Sequence, residues 1–453
     1  APDLQRRWLR GVAALGVAGG VVTVVARDAL GSWRATATDP GAAAVAGTAI
    51  ACAWGLTIAL EVDRDRWWIS GLTGVGCASL LLFAGAAWIV PALLFWSCLS
   101  VALTVAAARD GGRTWAWIAL ADAGMVAGLV AAATAAESWA FPEALDTVLL
   151  VPVAMAVVAR TGAIGGAGGM DVIGTRCGSL TPLMVGSGFL LTIRVIERPL
   201  PAAGAFVLLA AILVAVPVLR LRSFSIRACA SWPTAVGLGL CVAAPSASTT
   251  AAVGALLGVT AFVVWPEALD RGRLSRAALM SVIMPNVMFG AVATVASEAF
   301  VTATTVEGWV RRAPWTAVSA LLPFVLAVGV ALGIAAARTQ RKGSYLPEAV
   351  FMSWLLFAAS IGAAAFLGAG GVYAALGGSA AAGLIVLGLG AGGFAASRAR
   401  PRAAAHPEPL ADVVLGGALR VPRAVTAAAI AAQAGAGVAV TWFTVQGLKI
   451  GFL

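Results

Sequence analysis

The chain reads as a succession of apolar runs of 17–28 residues, separated by short breaks that carry Arg, Pro or Gly. A helix crossing the hydrocarbon core of a bilayer needs about 20 such residues at 1.5 Å each. On this pattern spans are expected at 11–30, 41–61, 67–86, 88–108, 114–135, 144–160, 178–196 and 200–219. Further spans are expected at 224–243, 248–266, 276–303, 313–337, 347–369, 372–397 and 424–445, fifteen in all. The opening APDLQRRWLRG resembles the start of a signal anchor; with no small-residue cleavage site evident, the first span is expected to be retained. The fold class expected is therefore all-α, a polytopic integral membrane protein.

Composition supports a lipid environment. The chain is 61% hydrophobic and 11% charged, with a mean hydropathy of +0.95. A soluble domain carries roughly 25% charged residues, so this chain cannot present a solvated surface all round. The net charge of +10 raises the question of nucleic acid. The Arg residues are scattered between apolar runs, however, which is the pattern of the positive-inside rule and not of a phosphate-binding stripe. Assigning loops to alternate sides puts 23 Lys and Arg on the side of the N-terminus and 7 on the other. That places the N-terminus in the cytoplasm and the protein in the inner or plasma membrane. Trp8, Trp33, Trp67, Trp68, Trp115, Trp139, Trp315 and Trp442 lie near span ends, as an interfacial belt would. The longest polar stretch, 398–423, falls on the cytoplasmic side, with room for a short interfacial helix around Leu410–Leu419. No loop could hold a catalytic domain.

Little reactive chemistry is on offer. The six Cys (52, 77, 98, 177, 229 and 241) occur singly, the only His is His406 in a Pro-rich stretch, and the only Lys are Lys342 and Lys449. Neither a disulfide framework nor a metal site is expected, no cofactor site is expected, and no catalytic residue is assigned. Gly-rich phosphate loops, nucleophile elbows and HExxH are absent. Ionisable groups inside a membrane are costly, so each is a candidate site. Asp122 lies deepest, in WIALADAGMVAGLV. It could relay a proton or cation, or hold two helices together by hydrogen bonds. Glu298, in VASEAFV near the outer end of its span, admits the same two roles. Glu348 follows Pro347 at a helix start, where a carboxylate is stabilised by the helix dipole.

Four segments, LLFWSCLSVAL (93–103), LADAGMVAGL (120–129), MVGSGFLLTIRVIERPLP (184–201) and SIRACASWPTAVGLGL (225–240), resemble in order and spacing the antiporter-like membrane subunits of respiratory complex I. Cation/proton antiporter subunits, membrane subunits of energy-converting hydrogenases and the membrane partner of inorganic-carbon pumps belong to the same family. The resemblance covers roughly residues 90–270 and implies an inverted-repeat helical core. It divides the chain into N-terminal helices (1–87), an antiporter-like core (88–270), C-terminal helices (271–397), a polar segment (398–423) and a terminal helix (424–453). It also implies that Asp122 matches the family's Asp. Ser97 stands where the family has Glu, and the relay positions for Lys, His and Lys fall near Met155, Leu180 and Phe262. Most of the proton relay is thus missing, in line with the His and Lys counts. The implied function is that of a membrane subunit in an energy-coupling or ion and inorganic-carbon transport complex. Its partners would be other membrane subunits and the bilayer, and Asp122, Ser97 and Glu298 would mark any ion path. Two rival readings stay open. One is an autonomous secondary transporter with its site among Gly-broken helices (162–169, 368–378). The other is a membrane-embedded lipid-linked transferase using Asp28, Asp39 or Glu298.

Overall fold

The computed structural model describes residues 2–25, 40–58, 67–110, 114–142, 145, 147–162, 178–196, 198–220, 231–245 and 248–270, with Val318 and Leu321 besides. Apart from those two positions, the expected spans from 276 onward lie outside the described residues, as do the polar segment 398–423, Glu298, Glu348, His406 and both Lys.

Among the described residues all regular structure is helical, and the sole β contact is an isolated bridge between Trp88 and Ala140. The helices are α1 (Pro2–Val25), α2 (Pro40–Leu56), α3 (Trp67–Gly85), α4 (Ile89–Asp110), α5 (Thr114–Ala136) and α6 (Thr147–Thr161). A 3-10 turn, Gly178–Leu180, leads into α7 (Thr181–Val195); α8 (Pro201–Arg220), α9 (Ser231–Ala243) and α10 (Ser248–Asp270) follow. Among the described residues, four stretches are long and apolar enough to cross a membrane: Trp67–Gly85, Ile89–Ala107, Trp117–Ala136 and Gly178–Val195. They correspond to the spans expected at 67–86, 88–108, 114–135 and 178–196.

The helices fall into two compact units divided after Val195. In the first, the stretch Gly178–Val195 is wrapped by protein, with 94% of its residues buried, whereas the other three membrane-length stretches are 44–50% buried. The remaining surface of those three is apolar, with Val75, Leu81, Leu82, Val101, Val105 and Val126 exposed. Water would not tolerate such a concentration of exposed aliphatic side chains on consecutive helices; lipid does. Small residues set the closest approaches. A Cβ on Gly20 would stand 2.7 Å from both the Gly47 carbonyl oxygen and the Ala51 amide nitrogen, so α1 rests directly on the α2 backbone. A hydroxyl seam joins α2, α3 and the 3-10 turn: Thr57 Oγ1 donates to Thr73 Oγ1 at 3.4 Å, and Thr73 Oγ1 lies 3.0 Å from Ser179 Oγ. All three side chains are fully buried.

In the second unit, α8 and α9 pack antiparallel. A Cβ on Gly204 would meet the Gly239 carbonyl oxygen at 2.6 Å. The Leu200 amide donates to the Val242 carbonyl at 3.0 Å. Cys241 Sγ contacts the Ser248 carbonyl oxygen at 3.2 Å, where α9 turns into α10.

Candidate functional site

The polar centre of the first unit is built by α4, α5 and α6. The apolar run of α4 carries Trp96, Ser100 and Thr104 at intervals of four residues, which puts them on one helix face. Antiparallel to it, α5 carries Asp122 eight residues after its start at Thr114, about 12 Å along the axis. Asp122 is the sole acidic residue within the four membrane-length stretches. α6 lies against α5 through two glycines. A Cβ on Gly124 would meet the Pro152 carbonyl oxygen at 2.4 Å, and one on Gly128 would meet Val153 Cγ2 at the same distance. This near-contact of backbones brings the last turn of α6, and Arg160 with it, beside Asp122.

Asp122 Oδ1 receives three bonds. Trp96 Nε1 donates at 2.8 Å, Ser100 Oγ at 2.6 Å and Arg160 Nη2 at 3.0 Å. The Ser100 oxygen also lies 2.9 Å from the Trp96 carbonyl. A hydroxyl has one proton to give, and the shorter, charge-assisted bond to the carboxylate takes it. Its lone pairs then accept from Arg160 Nη2, with which it is in close contact. The guanidinium stacks over the Trp96 ring, 4.5 Å from the centroid. Arg160 is fully buried, while Asp122 is 21% exposed. The result is a net-neutral ion pair that ties three helices together, with the indole supplying both a donor and a π face.

The expected sites fall out unevenly against this cluster. Asp122 is its hub. Ser97 is half-buried and lies outside it; Ser100, one turn on, holds the carboxylate. Met155 is 47% exposed, Leu180 is fully buried in the 3-10 turn, and Phe262 lies on α10. Asp28, Asp39 and Glu298 are outside the described residues, as is the stretch 163–169. Sequence reading missed Trp96, Ser100 and Arg160. The available signal was a lone Arg closing an apolar helix, together with a Trp and a Ser spaced one turn apart.

A second buried guanidinium stabilises the junction between α3 and α4. Arg194, 9% exposed near the end of α7, donates from Nη1 to the Phe83 carbonyl at 2.8 Å and from Nη2 to the Ala86 carbonyl. Its Cζ sits 3.6 Å from the centroid of Phe141. It thereby bonds carbonyls at and just past the C-terminal end of α3, where backbone acceptors run short of helical donors. The neighbouring chain is held by the Ile89 amide to the Trp139 carbonyl and the Phe141 amide to the Ala87 carbonyl, both at 2.9 Å. Arg194→Leu should lower the thermal unfolding midpoint in detergent, at about 1.5–3 kcal/mol for each bond lost to the charged donor. Arg194→Lys should recover part of it, because an ammonium cannot span both carbonyls as the fork does.

These two residues also correct the charge tally. Arg160 and Arg194 were assigned to loops on the two sides, but both lie inside helices and bond to protein groups, not headgroups. Without them the count is 22 against 6, so the inferred orientation keeps its sign. Among the described residues no group of three or more His, Cys, Asp or Glu is placed to hold a metal ion. Compared with protein-family models and with curated proteins, the sequence matches none.

Proposed function

We propose that the chain is an antiporter-like membrane subunit of a multi-subunit energy-coupling or ion and inorganic-carbon transport complex, and that its own role is that of a scaffold that depends on partners. In this reading it spans the inner or plasma membrane about fifteen times with its N-terminus in the cytoplasm. The observation that carries the proposal is the state of Asp122. A carboxylate that carries ions must exchange partners. Asp122 Oδ1 is instead gripped by Trp96, Ser100 and Arg160 on two flanking helices. Neutralising the carboxylate would leave a fully buried guanidinium without its counter-charge. The relay positions give the same direction: Ser97 and Met155 offer no group that stores a proton charge at neutral pH.

The test is gentle-detergent purification of the tagged chain from its native membrane, followed by mass spectrometry of what co-purifies. Stoichiometric recovery of quinone-reductase-like, hydrogenase-like or carbon-uptake subunits is expected. Recovery of the chain alone, with substrate-dependent flux in liposomes that contain nothing else, would overturn the proposal in favour of an autonomous secondary transporter.

A further inference from the structure

The Asp122 cluster accounts for only part of Arg160. Its Nη2 serves Asp122 and Ser100, but Nε and Nη1 have no hydrogen-bond partner among the described residues although the side chain is fully buried. Those two nitrogens carry three N–H groups. One turn beyond Ser100 on the same face of α4, about 6 Å along that face, the Thr104 hydroxyl is also buried and also without a partner. Among the described residues the Thr181 hydroxyl shares that state, but most helical hydroxyls do not. Thr48, Thr57, Thr73, Ser100, Thr192 and Thr260 all place the hydroxyl against the carbonyl four residues back, at 2.7–3.0 Å. Thr104 does not, so its hydroxyl remains available to something else.

Two orphaned groups on facing helices, a donor and a hydroxyl, point to a missing acceptor between them. A buried N–H without a partner costs about 1–3 kcal/mol, so a space left empty here would be expensive. An anion would suit the guanidinium, but Asp122 already balances its charge. A second negative charge would be buried uncompensated, at several kcal/mol. A neutral acceptor avoids that cost. We propose that an ordered water molecule is bound between Arg160 and Thr104, accepting from the guanidinium and bonded to the hydroxyl. The site is polar and supplies the two or more partners that a buried water requires. The clasp between α4 and α6 is then partly hydrated, and the guanidinium has a partner besides Asp122 and Ser100. This holds whatever the chain does in its membrane.

Radiolytic hydroxyl labelling of the full-length chain in lipid nanodiscs, read by mass spectrometry, tests the assignment, because a bound water generates radicals where it sits. Trp96 lies beneath the Arg160 guanidinium and is 1% exposed, against 9% for Trp54 and 7% for Trp232. Trp96 is expected to oxidise several-fold faster than either despite being the least exposed of the three. The excess should be lost in Thr104→Val, which keeps the side-chain shape, and kept in Thr104→Ser. Trp96 labelling no faster than Trp54 and Trp232 would overturn the water. Fast labelling unchanged in Thr104→Val would overturn its placement.

Discussion

Asp122→Asn is expected to destabilise the folded chain by about 3–5 kcal/mol, the cost of removing one member of a buried ion pair and leaving the other uncompensated. The substitution is nearly isosteric, and its amide oxygen can still accept from Trp96 and Ser100. The loss therefore reports the charge. Arg160→Met should cost less, because the carboxylate it leaves behind is 21% exposed and can be partly solvated, whereas the guanidinium left by Asp122→Asn is fully buried. The double variant Asp122→Asn/Arg160→Met removes both charges and should regain most of the stability, since apolar replacements of buried pairs are often close to neutral. Unfolding of the four proteins in detergent, followed by far-UV circular dichroism against denaturant, gives the coupling free energy. Additive effects of the two single changes would mean that the residues do not interact, and the clasp would be wrong.

The second large effect is expected at a residue with no side chain. Gly124→Ala places a Cβ 2.4 Å from the Pro152 carbonyl oxygen and 3.1 Å from the Ala156 amide nitrogen. Neither atom belongs to a side chain that could turn aside, so α6 must move, at about 1–3 kcal/mol for overpacking. Any such movement also carries Arg160 away from Asp122, so the loss should exceed that of an ordinary clash. Gly71→Ala is the control. Nothing lies within 4 Å of its Cβ position, and replacing a helix-interior Gly with Ala gains up to about 1 kcal/mol. Thermal midpoints measured side by side should move in opposite directions. A Gly124→Ala variant as stable as the parent would show that α5 and α6 do not meet along this face.

The membrane-length helices were legible because hydropathy reports length and apolarity directly. Trp67–Gly85, Ile89–Ala107, Trp117–Ala136 and Gly178–Val195 correspond to runs visible in the sequence to within a few residues. Hydropathy is silent where a helix continues beyond the apolar zone. α1 begins at Pro2, a residue suited to the first helical position, and takes in Arg6, Arg7 and Arg10. The apolar pattern started that element at residue 11. Which of the spans is central was also hidden. Gly178–Val195 is nearly all buried while its neighbours are half exposed, yet in a membrane lipid-facing and protein-facing positions select the same side chains. The site was legible in its acid and opaque in its partners. Asp122 stood out as a carboxylate in an apolar run. Arg160 closes the helix at Thr161 and read as one more cytoplasmic charge, because loop counting cannot distinguish an Arg facing headgroups from one turned inward. Ser97 attracted attention through the family pattern, but the helix turns about 100° per residue and brings Ser100, not Ser97, beneath Trp96 onto the carboxylate.

The most direct test of the central claim, that Asp122 holds helices together and does not carry ions, is coupled ion transport in native membranes containing the Asp122→Asn/Arg160→Met double variant. The account predicts that the variant assembles with its partners and that transport stays near the parental rate, since the helices stay joined and no carrier is lost. Full assembly with transport abolished would contradict it and return Asp122 to the ion path.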